Sequence, residues 1–166
     1  ICGGFSVNET EDALINLRYL GIDNVLVLRG DAAKNEAAFE PEPDGHKYAS
    51  DLLKQVANLN AGIYLENDLK GTQKTEFCIG VAGYPEKHFE APNMDYDMHY
   101  TAEKIKAGAD YIVTQMYFEG DPYNNTDRFL QSAGRTELLI TKLLPPPPEL
   151  EPESKLVVFD IVLYAG

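Results

Sequence analysis

Apolar and polar positions change period along this chain in a regular order. Over 9–20 (ETEDALINLRYL), Ala13, Leu14, Leu17 and Leu20 recur at helical spacing. Thr10, Glu11 and Asp12 supply acidic and capping groups near the start, and Gly21 reads as the C-cap. NVLVL (24–28) is then a continuous apolar run, as expected of a parallel strand buried on both faces. The loop DAAKNEAAFEPEPDG leads to YASDLLKQVANL, whose inward stripe is Leu52, Leu53, Val56 and Leu59. After a polar insertion (66–75), FCIGVAGY predicts a second buried strand, MDYDMHYTAEKIKAGA a helix closing on Gly108, and ADYIVTQMYF a third strand.

This alternation implies right-handed βαβ crossovers and a parallel sheet. A (β/α)8 barrel and a doubly wound sheet both satisfy it, and periodicity does not separate them. From residue 120 the pattern changes. A turn-like GDPYNNTD precedes a short helical possibility, and then TKLLPPPPELEPES brings four consecutive prolines. Each lacks an N–H and fixes φ, so the tract reads as extended polyproline II. KLVVFDIVLYAG would form a strand, with no indication of its neighbours. Ile1 is an implausible initiator and ICGGFS reads as a strand end entering a loop, so an upstream part of a larger protein is expected.

Composition narrows the functions. A net charge of -13 and a pI near 4.5 argue against nucleic acid or an anionic membrane surface as partner. Cys2 and Cys78 are far apart and form no CxxC, which excludes a zinc knuckle or disulfide scaffold and fits a reducing cytoplasm. His46, His88 and His99 show no ligand spacing, so no metal is expected. The GxGxxG, GxxxxGK[ST] and GxSxG patterns are absent, so a nucleotide cofactor would not bind through a Rossmann turn.

Candidate chemistry lies at the strand ends, where loops and helix N-termini converge in parallel α/β folds. The first strand ends in Arg29-Gly30-Asp31, the second in Gly83-Tyr84-Pro85-Glu86-Lys87-His88, and the third carries Thr114-Gln115. Gly30 lets backbone approach a ligand closely, and Arg29 could clamp phosphate or stack on a ring. Asp31 could stabilise a developing cation. Gln115 offers a donor and an acceptor to an amide-bearing heterocycle. Tyr48 and Tyr84 could cover a planar ring.

Taken together, NVLVLRGD, FCIGVAGYPEKHFEAPN and KAGADYIVTQMYF resemble the bacterial type of methylenetetrahydrofolate reductase over about residues 1–119. The resemblance implies a partial (β/α)8 TIM barrel, about strands 3 to 6, that holds FAD, with 120–166 an atypical Pro-rich tail. It implies hydride transfer from NAD(P)H to FAD and on to 5,10-methylenetetrahydrofolate, giving 5-methyltetrahydrofolate, in a homo-oligomer when complete. It assigns FAD contacts to Arg29, Gly30, Asp31, Tyr48, Ala49, Tyr84, His88, Asp97 and Lys104, with Lys104 suited to phosphate. Asp31 and Gln115 would serve catalysis, Asp31 beside the isoalloxazine and folate, Gln115 on the folate and the nicotinamide.

Two positions depart from the family pattern. Tyr100 stands where asparagine is usual and Glu103 where arginine is usual, so Glu103 is expected to point away from a pyrophosphate. The resemblance puts the family's proton-donating glutamate, and a flavin-contacting threonine and histidine, upstream of Ile1. LLPPPPELEPES does not match the continuation toward the seventh and eighth strands. The competing expectation is a truncated, non-catalytic barrel remnant that binds flavin weakly or only associates with a partner.

Overall fold

A computed structural model describes residues 4–32, 38–66, 71–84, 87–114 and 139–142. In chain order the elements are α1 (Val7–Tyr19), β1 (Asn24–Val27), α2 (Ala49–Ala61), β2 (Cys78–Gly83), α3 (Met94–Lys106), β3 (Tyr111–Thr114) and β4 (Leu139–Lys142). The expected alternation is therefore present through β3. The strand expected in KLVVFDIVLYAG and the proline tract lie outside the described residues.

Helix α1 begins earlier than its apolar stripe suggests. Ser6 is the N-cap: its Oγ accepts from the Glu9 N–H at 3.3 Å, and the Glu9 carboxylate accepts from the Ser6 N–H at 2.9 Å. This capping box, not Thr10 or Asp12, satisfies the orphan donors of the first turn. At the other end Gly21 takes φ +78° and its N–H reaches the Arg18 carbonyl at 3.0 Å. The helix stops at Tyr19, so Leu20 falls off the inward stripe and is 71% exposed, while Leu14 is buried.

Helix α2 follows its stripe closely, with Leu52, Leu53, Val56 and Leu59 all buried, and ends at Gly62 in the left-handed region. These side chains pack on Val25, Val27, Ile79, Val81 and Ile112 from the sheet, forming one core. Full burial of each such side chain contributes roughly 1.5–3 kcal/mol. Polar groups close the gaps. Asn60 donates to the Phe77 carbonyl at 2.9 Å and accepts from the Phe77 N–H at 2.9 Å, which fixes the approach to β2. Asp110 accepts from the Ile79 N–H at 2.9 Å and so aligns the start of β3.

The four described strands form one sheet in the order β1-β2-β3-β4, every pair parallel. Val27 is level with Val81, Gly83 with Thr114, and Thr114 with Lys142. The order follows the chain without reversal, so the described strands contain no switch point of the doubly wound kind. Strand β4 comes from the segment after residue 119. Its two apolar residues, Leu139 and Ile140, are too few to mark a strand beside the proline run.

Candidate functional site

The parallel register brings the C-terminal ends of β1, β2 and β3 to one edge, so the loops after β1 and β2 meet there. Arg29 spans the two loops. Its Nη1 and Nη2 donate to Glu90 Oε2 and Oε1 at 2.9 and 3.0 Å, a bidentate pair that joins residues 61 apart. The guanidinium carbon also lies 5.3 Å from the centre of the Phe39 ring. The Arg29 head is thereby held on its edge and its face. Gly30 follows with φ +86°, and a Cβ there would meet no heavy atom within 4 Å, so its backbone is open to close approach.

The β2 end is organised around His88. Its ring meets Tyr84 edge-on at 4.6 Å and stacks on Phe89 at 4.8 Å. Nδ1 accepts from the Glu90 N–H at 3.2 Å, which leaves Nε2 as the protonated, donating nitrogen of the neutral ring. The His88 N–H donates to Asp97 Oδ2 at 3.1 Å. Lys87 takes φ +81° and its Nζ donates to the carbonyls of His88 and Ala91 at 2.9 and 2.6 Å, which closes the turn.

Helix α3 braces this loop. Asn93 caps it through the Tyr96 N–H at 2.8 Å, and the first turn carries the buried Asp97. Two turns on, Lys104 Nζ donates to the Ala82 carbonyl at 3.3 Å. Burial pulls the Lys104 ammonium below its ordinary pKa, and Asp97 opposes that shift. Burial, then the Asp31 and Asp97 carboxylates, pushes the Tyr84 phenol upward. His88 is lowered by burial, against the pull of Glu90 and Asp97. Tyr84 is therefore a neutral hydroxyl at physiological pH and His88 is biased toward its neutral form.

Arg29, Gly30, Asp31, Tyr84 and His88 thus follow the ends of β1 and β2 at one edge of the sheet, and α3 brings Asp97 to the His88 N–H and Lys104 to the Ala82 carbonyl. Tyr48 is the N-cap of α2 and Ala49 its first residue. Tyr48 is half exposed with the Lys47 ammonium 5.4 Å from its ring centre, and Ala49 packs toward the core. Gln115 lies outside the described residues, as do Pro85 and Glu86. Glu103 is exposed and pairs with Lys106 at 3.0 Å. Sequence reasoning missed Glu90 and Phe39, and it named Lys87 at the strand end without its turn-closing role. The pairing of Arg29 with a carboxylate 61 residues away has no local signal. A positive φ at Lys87 has none either.

The arrangement sets neutral and cationic donors opposite an exposed carboxylate at the strand mouths. Comparison with known proteins decides the family. The sequence model described as Methylenetetrahydrofolate reductase matches residues 1–146. The chain belongs to the methylenetetrahydrofolate reductase family. The match runs past residue 119, where the motif resemblance stops, to the proline run.

Similar proteins include Methylenetetrahydrofolate reductase 2 of Saccharomyces cerevisiae, 35% identical over 146 residues, covering 87% of this chain and 22% of the relative. The probable methylenetetrahydrofolate reductase (NADH) of Oryza sativa is 29% identical over 153 residues, 87% of this chain and 24% of the relative. The probable methylenetetrahydrofolate reductase (NADPH) of Caenorhabditis elegans is 28% identical over 145 residues, 87% of this chain and 19% of the relative. The chain therefore spans less than a quarter of the length of these reductases. All three are eukaryotic, so the bacterial type that the motifs suggested has no support from them. No helix among the described residues is long and apolar enough to cross a membrane.

Proposed function

We propose that this chain is the flavin- and folate-facing part of an FAD-dependent reductase that converts 5,10-methylenetetrahydrofolate to 5-methyltetrahydrofolate with NAD(P)H. The observation that carries the reading is the meeting of Arg29-Gly30-Asp31 with Tyr84 and His88 at one sheet edge of a chain in this family. The sequential parallel order β1 to β4 supports a partial (β/α)8 barrel, with residues 1–119 as the flavin-binding part. A cytoplasmic setting and a homo-oligomeric complete enzyme belong to the same reading.

The residues present fit the cofactor. Gly30 has open space on the side a Cβ would fill, and Tyr84, His88 and Lys104 supply donors suited to ring carbonyls and phosphate oxygens. FAD, when bound, supplies the two-electron carrier between nicotinamide and folate. Arg29 acts by position, since Glu90 and Phe39 hold its head: it ties the β2 loop to the β1 end and so places Gly30 and Asp31. Asp31 presents an exposed carboxylate that favours the cationic iminium form of the folate methylene group. His88 donates from Nε2, and Asp97 fixes its backbone. Gln115 would orient the folate and the nicotinamide through its amide.

The test is flavin titration of the purified chain, followed by nicotinamide oxidation with and without methylenetetrahydrofolate. Saturable FAD binding and folate-dependent oxidation are expected of the holo-reductase that contains this chain. A chain that binds no flavin and leaves the nicotinamide unoxidised overturns the reading.

A further inference from the structure

One buried titratable side chain takes no part in the donor cluster. His46 is buried just before α2, and its Nε2 bonds Gln55 Oε1 on that helix. Gln55, also buried, donates from its amide nitrogen to the Val7 carbonyl at 2.9 Å. That carbonyl can only accept, so the Gln55 amide oxygen faces His46 and the imidazole Nε2 carries the hydrogen. Two backbone contacts run beside this bond. The Val7 N–H, an orphan donor in the first turn of α1, reaches the Asp44 carbonyl at 2.9 Å, and Ser6 bridges Gly45 in antiparallel fashion. No side chain fits at Gly45, where a Cβ would lie 2.8 Å from the Phe5 carbonyl oxygen and 2.9 Å from that of Glu42.

Apolar packing needs no such group. A buried imidazole and a buried amide cost free energy unless bonded, and once bonded they fix direction as apolar side chains do not. What they fix here is the end of the loop after β1. Running back from His46, the chain turns through Asp44 at φ +60°, closed by the Gly45 N–H on the Glu42 carbonyl at 2.8 Å. Pro41 and Pro43 each fix φ at about −65°, which stiffens the stretch. It begins at Phe39, which packs on the core and whose ring centre lies 5.3 Å from the Arg29 guanidinium carbon. The start of α1 and the Arg29 head are thus joined by one short, stiff segment.

We propose that residues 39–46 are a positioning arm, pinned at its base through His46, Gln55 and Val7, whose tip, the Phe39 ring, seats Arg29 and thereby sets the place of Asp31. Glu90 holds the edge of the guanidinium and the arm holds its face, and Gly30 and Asp31 follow Arg29 directly in the chain. His46 and Gln55 are then positioning residues that touch neither cofactor nor substrate. The contact between arm and Arg29 needs no ligand, whereas its consequence for folate chemistry rests on the reductase reading above.

The whole chain is followed by NMR without ligand, through the nuclear Overhauser contact between the Phe39 ring and the Arg29 side chain. His46→Ala removes the pin, and His46→Gln keeps a donor near the place of Nε2. Pro43→Gly loosens the arm at an exposed position and leaves the core untouched. The contact is expected to vanish in His46→Ala and Pro43→Gly and to persist in His46→Gln. In the holo-reductase the first two changes should slow the folate half-reaction on the order of tenfold and spare the nicotinamide half-reaction, since displacing a charged group from its working geometry is costly. Adding His46→Ala to Phe39→Ala should slow it no further, because the pin acts through that ring. If His46→Ala does not fold, Pro43→Gly carries the test. A contact that survives Pro43→Gly, or a folate half-reaction that keeps its rate after the contact is lost, overturns the arm. If the unaltered chain shows the contact but the holo-reductase reduces no folate, the reductase reading fails and the seating of Arg29 by the arm stands.

Discussion

The ring of Tyr111 in β3 lies directly against the Cα of Gly80 in β2. A Cβ at position 80 would come within 2.6 Å of the phenolic oxygen and still nearer to the ring carbons. The two residues are paired in register, and the Tyr111 hydroxyl passes over β2 to donate to the Val25 carbonyl of β1 at 3.3 Å. One aromatic side chain therefore bridges three strands, and the absence of a side chain at Gly80 makes its path.

Gly80→Ala should accordingly destabilise the sheet by about 1–3 kcal/mol, the usual cost of forcing extra volume into a packed core. The urea midpoint measures it. Combining it with Tyr111→Val should give less than the sum of the two single losses, since the smaller side chain relieves the clash. Strict additivity would show that the close approach is not what makes Gly80 necessary.

The same pair illustrates what was legible beforehand. The runs NVLVL and FCIGVAGY announced β1 and β2 as apolar strands, although β1 buries only Val25 and Val27 and leaves Leu26 partly covered, so the expectation of burial on both faces holds better for β2. The stripe of Leu52, Leu53, Val56 and Leu59 announced α2 for the complementary reason. Gly80 could be read as part of a strand, but its reason lies 31 positions away in Tyr111. Glu90 was invisible in the same way, because its partner Arg29 reaches it only through the sheet register. The start of α1 was misjudged because a capping box acts before the first apolar residue of the stripe. The site was thus readable as residue types at strand ends, whereas the contacts that fix them were not.

The Arg29–Glu90 pair gives a second prediction. Glu90 is about half exposed, so Glu90→Gln should cost no more than about 1 kcal/mol, and less at high salt. Arg29→Ala should cost more, because it also removes the side chain that covers Phe39. The difference between the two, read from urea unfolding, measures the packing share. Equal losses would mean that the ion pair alone holds the loop.

Asp31 gives the sharpest mechanistic test. Asp31→Asn retains the shape of the side chain and removes its charge, so flavin affinity should change little. Folate reduction by the holo-reductase should slow on the order of a hundredfold, the scale for losing one electrostatic stabiliser of a charged transition state. The half-reaction with NAD(P)H should be affected less, since no iminium forms in it. Rapid-reaction measurement of each half separately makes the comparison. Unchanged folate turnover would remove Asp31 from the chemistry.

His88 ties the site to pH. Burial lowers its pKa from the ordinary 6.5, and its Nδ1 must stay unprotonated to accept the Glu90 N–H. The unfolded chain takes up this proton near pH 6.5, whereas the folded chain does so only at lower pH. Between those values the unfolded state holds more protons, so stability rises with pH across the window. The His88 contribution is therefore complete above pH 6.5 and is lost as the pH falls through the folded-state value. Chemical-shift titration of the imidazole should place its midpoint below 6.5, and His88→Asn should flatten the dependence of the urea midpoint on pH in that window. The same protonation breaks the bond that orients Nε2, so flavin affinity should fall over the same range as stability. A midpoint at or above 6.5 would mean that the Glu90 and Asp97 carboxylates outweigh burial, and that the ring binds as a cation.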